Sequence, residues 1–308
     1  MPITTGKKTV RPTSEATQSA TNPLITRKFI IPFIVVWLIA MVVAPISLIT
    51  LLEYAPFSFL GMLGALFANA TGAGGGVVFI PFFNELNFNE QQSVATSFAI
   101  QCFGMTAGAI TWGTHYRLEK TELRLWQGFK RIITVSAIGA VIGLWLVYAG
   151  EFQPPSSLHQ NFSWFSLLLG LFIVITVYLV PPHRDRSQVY WYDWLAIAII
   201  SLFGGAITAW LSVGVGELIA VYLILRRFDV NMAVAIAVIV SAITVWSAIW
   251  QHTLINFTVY WQVVLFAGPG AIVGGVFAKT LVTHLSATRL KLFFAFWLLV
   301  IGAVGIEI

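Results

Sequence analysis

Glu217 is a carboxylate in the otherwise apolar run VGVGELIAVYL, where a polar group costs free energy unless it is partnered. Two roles suit it there. It either complements the positive end of a helix that starts at this point, or it takes up a proton when water reaches it and so couples the passage of an anion to a proton. A second concentration of polar groups flanks the glycine run Gly72, Gly74, Gly75 and Gly76: Asn69, Thr71, Thr96, Ser97 and Gln101. These side chains are suited to donating hydrogen bonds to an oxyanion, and glycines let a ligand approach the backbone. Ser212, Gly214 and Gly216, with Ser241 and Thr244, form the later counterpart. Hydroxyls in apolar helices also bond their own backbone, which is the alternative for each alone.

Other chemistries find no support. The chain contains no HExxH, no GxxxxGK[ST] and no apparent Ser-His-Asp set. His115 and His252 fall at helix ends expected on opposite faces, so they cannot share a metal. The single Cys102 lies in the apolar run SFAIQCFGM, which rules out a disulfide within the chain and suits a buried small hydrophobe. We therefore expect neither enzyme, cofactor nor metal centre.

The elements that must position these groups are set by the solvent. Of 308 residues, 58% are hydrophobic and 9% charged, against about 25% charged in soluble domains, so a bilayer is the medium. The net charge of +5 is spread over short segments between apolar runs and forms no groove for nucleic acid; it reads as a topology signal. Apolar runs at 29–52, 93–115, 129–149, 162–180, 233–251, 260–282 and 290–307 predict full transmembrane helices. Segment 29–52 is too long for a signal-peptide core and is read as a retained first helix. Residues 1–28, rich in Thr, Ser, Pro and Lys, are expected to be a disordered cytoplasmic tail before a single membrane domain over 29–308. Lys279, near a helix end, is expected to snorkel. The tryptophans, Trp112, Trp126, Trp164, Trp191, Trp194, Trp250 and Trp261 among them, are expected to form interfacial belts.

Segments 57–86 and 193–225 are apolar but carry glycine clusters, and are predicted to be broken. An offset of 140 matches Gly64 to Gly204, Gly74 to Gly214, Gly76 to Gly216, Phe88 to Phe228 and Val94-Ala95 to Val234-Ala235. An offset of 131 matches Gly139-Ala140 and Gly143 to Gly270-Ala271 and Gly274. The chain is thus expected to contain two repeats, about 57–180 and 193–308. Lys and Arg concentrate in the tail, at 116–131, at 181–192 and at 289–291, while 150–161 and 252–259 have none. The first set should be cytoplasmic, the N-terminus included, and the second external. Counting crossings then requires both broken segments to be re-entrant and the second repeat to be inverted. The expected fold is an all-α polytopic membrane protein, with about seven full helices plus two broken or re-entrant segments.

Unwound backbone inside a bilayer is tolerated only beside protein or water, and helices beginning near Val77 and Leu218 would aim free N–H groups at an anion. The stretch GALFANATGAGGGVVFIPFF followed by SVATSFA, with the weaker copy GGAITAWLSVGVGELIAVYL followed by AVAIAVI, resembles the sulfite exporter TauE/SafE family of permeases over about residues 57–305. The resemblance implies a secondary transporter, an exporter in particular, of sulfite, organosulfonates or related small anions in the inner membrane. Alternating access, with proton coupling through Glu217, is the expected mechanism; an anion channel with re-entrant pore segments is the alternative. The second copy departs from the first where Val215 interrupts the glycines and Glu217 follows, which bears on the substrate. The expected partners are a small anion and the lipid bilayer, with no nucleic acid; a homo-oligomer is compatible with the sequence.

Overall fold

The computed structural model describes residues 22–43, 52–118, 126–153, 157–179, 186–284 and 287–304. Most of the expected tail, 1–21, and the basic residues Lys120, Arg124 and Arg184 lie outside the described residues. Among the described residues the secondary structure is helical: α1 Arg27–Val43, α2 Pro56–Thr71, α3 Gly76–Glu85, α4 Glu90–Leu118, α5 Phe129–Ala149, α6 Leu158–Leu179, α7 Trp191–Leu211, α8 Val215–Leu225, α9 Val230–Trp250, α10 Trp261–His284 and α11 Ala287–Val304. A π-turn, Gln251–Ile255, continues α9.

Among the described residues, five helices are long and apolar enough to cross a membrane: residues 90–117, 129–149, 191–211, 230–255 and 261–282. Helix α7 is among them, so by length the first arm of the second broken segment is able to cross alone. The first arm of the other segment, α2, has 16 residues, about 24 Å of helix, and residues 52–54 are helical just before it. Residues 22–28 also take defined structure. A short 3-10 turn buries Leu24, Asn22 Nδ2 donates to Thr111 Oγ1 at 2.7 Å, and α1 begins at Arg27.

Both breaks are present where the glycines predict them. Helix α2 ends on Gly72 in the left-handed region (φ 82°) and α3 starts at Gly76. Helix α7 ends on Ser212, also left-handed (φ 59°), and α8 starts after Gly214 (φ 140°). The two halves repeat in detail at the offset of 140. Asn87 and Arg227 both have positive φ. Asn89 Oδ1 accepts the Gln92 N–H at 2.8 Å, and Asp229 Oδ1 accepts that of Met232 at 2.8 Å, capping α4 and α9 alike. Gly270 and Gly274 of α10 lie against the carbonyls of Ser58 and Met62 in α2, while Gly139 and Gly143 of α5 lie against those of Ala198 and Leu202 in α7. Each half therefore packs its small-residue helix on the broken segment of the other half, where a side chain would keep the backbones apart.

Helix directions follow from which residues touch. Gly270 meets Ser58 and Gly274 meets Met62, so α10 and α2 run parallel. Gly268 meets Phe103 and Gly275 meets Gly104 and Gly108, so α10 and α4 also run parallel. With α2 and α4 pointing the same way, α3 must bring the chain back between them. The second half obeys the same logic. Helix α5 runs parallel to α7 by its glycine contacts, and parallel to α9 because Trp145 bonds Ser247 while Tyr148 bonds His252; α8 returns the chain. Corresponding helices oppose one another. In α6 and α11, Gly170 meets Ala295 and Leu298 while Gly302 meets Ser163 and Leu167, which is antiparallel.

These directions give the bundle a basic and an acidic end. Arg117, Lys130, Arg131, Arg186, Arg226, Arg227 and Arg289 lie at one end, with Lys279 in the last turns of α10 nearby; Glu53, Glu90 and Glu151 lie at the other. Trp164, Trp191, Trp250 and Trp261 are exposed, as interfacial tryptophans should be. Trp112 and Trp126 depart from that expectation. Both are buried, because their indole N–H groups find internal acceptors, Asn69 O at 3.3 Å and Asp229 Oδ1 at 3.0 Å.

Candidate functional site: two helix breaks around Glu217

The breaks lie side by side, running in opposite directions at the core of the bundle. The Cα of Gly216 faces the carbonyl of Gly72, and a Cβ on Gly76 would come within 2.7 Å of the carbonyl of Ser212. Adding or subtracting 140 interchanges these two contacts, so the repeat symmetry runs through the site itself. The glycines at 76 and 216 are thus required by close backbone approach, and Gly72 and Gly214 are favoured by positive φ.

Glu217 bridges the breaks. Its Oε1 accepts the Gly74 N–H at 2.7 Å and its Oε2 accepts the Gly214 N–H at 2.8 Å. The second bond is half of a capping box for α8; the first reaches across 143 residues to the other repeat. The carboxylate is 1% exposed, and among the described residues no cation pairs with it. An oxyanion group thus already occupies the space between two backbone N–H groups that precede helices α3 and α8, whose partial positive ends face it.

Beside it, Gln101 ties α4 to both breaks. Its Oε1 accepts the Gly75 N–H at 2.8 Å, and its Nε2 donates to Ser212 Oγ at 2.8 Å, Ser97 Oγ at 3.0 Å and the Ser212 carbonyl at 3.1 Å. Ser212 Oγ in turn donates to Ser97 Oγ at 3.0 Å. Ser241, the counterpart of Gln101 at the offset of 140, sits against Gly216, and its buried Oγ has no hydrogen-bond partner. Thr208 was not singled out in the sequence. Its Oγ1 accepts the Val215 N–H at 3.0 Å and donates to the Gly204 carbonyl at 2.7 Å, fixing the second break from the preceding helix turn. Its place one turn before the Ser-Val-Gly break was the available signal.

The structure brings together Gly72, Gly74, Gly75, Gly76, Ser97, Gln101, Ser212, Gly214, Gly216 and Glu217. Three other candidates stand apart. Thr96 Oγ1 accepts the Tyr260 N–H at 3.1 Å just before α10. Asn69 Nδ2 donates to the carbonyls of Ala65 and Gly104, at 2.7 and 3.2 Å, beside Gly108. Thr71 donates to Phe67 O at 2.9 Å and accepts the Ala73 N–H at 3.2 Å, which makes it a local brace of the first break. Thr244 also bonds its own helix, at Val240 O. Cys102 is buried, and His115 and His252 sit near opposite ends of the bundle. Among the described residues no group of His, Cys, Asp and Glu has the makings of a metal site.

No curated protein and no solved structure matches the chain. A family model does match, that of the sulfite exporter TauE/SafE family, over residues 57–304 and so over both broken segments and the site between them. The helices long and apolar enough to span a bilayer and this match together make the chain a multi-pass membrane protein that belongs to the sulfite exporter TauE/SafE family.

Proposed function

We propose that the protein is a secondary transporter that exports sulfite, an organosulfonate or a related small sulfur-containing anion across the inner membrane, binding it between the two helix breaks. The observation that carries this is the Glu217 carboxylate, whose two oxygens accept the N–H groups of Gly74 and Gly214 from different repeats. What those groups hold is an oxyanion on a tether, so the site suits another oxyanion once Glu217 withdraws. Protonation of Glu217 turns one of its two oxygens into a hydroxyl, which loosens its hold on the N–H groups, and removes its repulsion of the substrate. Anion and proton then move together. Ser97, Gln101, Ser212 and Ser241 supply the hydrogen bonds around the rest of the anion.

The antiparallel course of corresponding helices, with α3 and α8 each turning the chain back, supports an inverted repeat with two re-entrant segments. The positive-inside bias then puts the basic end, and the N-terminus with it, in the cytoplasm. Two such halves exchange outward-facing and inward-facing packings around a fixed site, which is alternating access.

The test is flux of sulfite, thiosulfate and a sulfonate in proteoliposomes, with and without a pH gradient. Saturable flux that responds to the gradient is expected. Flux that neither saturates nor responds to protons would point instead to a channel. Gly75→Leu or Gly76→Leu is expected to abolish flux in protein that still inserts, since a side chain at Gly75 meets Phe79 and Gln101 and one at Gly76 meets Val213 and Ser212. Full activity in both variants would remove the site.

A further inference from the structure

At the basic end, where α8 stops and α7 starts, Asp193 is fully buried and uses both oxygens. Oδ1 accepts from Tyr222 Oη at 2.9 Å and Arg226 Nε at 2.8 Å; Oδ2 accepts from Arg186 Nη2 at 2.6 Å and the Tyr190 N–H at 2.9 Å. The Arg186 N–H donates to the Arg227 carbonyl at 2.7 Å, so the segment between the repeats is tied to the end of α8. A cavity of about 630 Å³ opens here, lined by Arg186, Arg226 and Arg227 together with Ser187 and Gln188. Three arginines line it; the guanidinium groups of Arg186 and Arg226 share the Asp193 carboxylate and lie over the rings of Tyr190 and Tyr192, which leaves Arg227 with no carboxylate in this cluster. The Nε of Arg186 is buried without a hydrogen-bond partner, and Arg227 is exposed.

Neither the repeat nor topology requires this. At the offset of 140, Arg226 and Arg227 correspond to Leu86 and Asn87, and Tyr222 to Phe82. At the opposite end the polar contact is a hydroxyl pair, Tyr54 and Tyr260 at 2.6 Å. The positive-inside bias asks only for a number of charges near the surface, not for three arginines lining one cavity. An excess of donors arranged as planar forks is what recognises a small oxyanion.

We propose that this cavity is a second anion site, a docking site at the basic mouth that receives a small oxyanion, free or as a lipid phosphate headgroup. The identity of the free anion as a sulfur oxyanion rests on the transport function proposed above; the existence of the site does not.

The experiment is sulfite titration of purified protein in nanodiscs of phosphatidylcholine, followed by calorimetry. The Gly75→Leu variant, with the central site closed, should still bind sulfite. Adding Arg227→Asn, which suits the left-handed backbone there (φ 65°), should weaken that binding about three- to tenfold, with Arg227→Lys intermediate because lysine keeps the charge and loses the planar fork; the contact is partly exposed and raised chloride should weaken it further. Phosphatidylglycerol in the nanodisc that displaces sulfite identifies the headgroup as the resident, and no displacement identifies the free anion. Absence of sulfite binding to Gly75→Leu, or unchanged binding after Arg227→Asn, overturns the site. Binding through Arg227 in a protein that moves no sulfur anion would keep the site and sink the transport function.

Discussion

Ser212 holds a left-handed backbone (φ 59°) that disfavours any residue with a Cβ by roughly 1 kcal/mol, where its counterpart Gly72 adopts the same region freely. The serine is retained where glycine would relax the turn, and its hydroxyl joins Gln101 to Ser97, so local strain coincides with the candidate site. Glu217 presents the sharper test. In Glu217→Gln the side chain keeps its size but cannot ionise, and its amide nitrogen must face one of two N–H donors, at a cost of about 1–3 kcal/mol for the unsatisfied pair. Wild-type sulfite binding should tighten as pH falls, because protonation removes the carboxylate charge and loosens its hold on the Gly74 and Gly214 N–H groups. In the glutamine variant binding should lose that pH dependence, and gradient-driven flux should fall about tenfold or more, the equivalent of ~1.4 kcal/mol. Calorimetry across pH and gradient-driven flux are the measurements. A variant as responsive to pH as the wild type would remove Glu217 from coupling.

At the scale of elements, small residues decide which helices pair. Gly143→Ala and Gly274→Ala place a methyl against the carbonyls of Leu202 and Met62, equivalent contacts in the two halves. Both should destabilise by about 1–3 kcal/mol through overpacking, and by similar amounts. Gly113 has no atom within 4 Å of a Cβ, so Gly113→Ala should be neutral or stabilising by up to about 1 kcal/mol, as expected for glycine inside a helix. Thermal denaturation in detergent of the three variants tests this, and equal stability of all three would contradict the interlocked packing. Much of this scale was legible in the chain. Glycine clusters announced both breaks, and the run 129–149 gave α5 end for end. The start of α4 at Glu90 was not read, because its signal is one Asn89 cap and not hydrophobic periodicity. Trp112 and Trp126 were assigned to the interface because position near a segment end does not reveal a buried acceptor. The Gly74 to Glu217 bond was beyond reach for a related reason. Each residue was singled out, but a contact across 143 residues depends on how two repeats interlock, which no local pattern encodes. The cluster around Asp193 left one visible trace, a carboxylate inside an apolar segment near Arg186, which became informative only when α8 brought Tyr222 and Arg226 to it.

For the whole molecule, the separation of charge is the feature that predicts orientation. If the basic end is cytoplasmic, Gln153 and Phe257, in loops at the acidic end, face outward, whereas Arg117 and Gln188 face the cytoplasm. Cys102 is buried against Val245, so cysteines introduced singly at these positions can be read with little background from the native thiol. Gln153→Cys and Phe257→Cys should react with a membrane-impermeant maleimide in intact cells, and Arg117→Cys and Gln188→Cys only after permeabilisation. The same four positions test the course of the second broken segment. Arg117 precedes α5 and Gln188 precedes α7, with α5 and α6 between them, while Gln153 and Phe257 are separated by α6, α7, α8, α9 and the π-turn. Shared labelling of Gln153 and Phe257 requires an even number of crossings between them. With α6 and α9 each crossing once, as the sequence expects, the α7–α8 segment must return to the side from which it entered. Labelling of Phe257 from the side opposite to Gln153 would mean that this segment crosses, and would end the inverted-repeat topology on which alternating access depends.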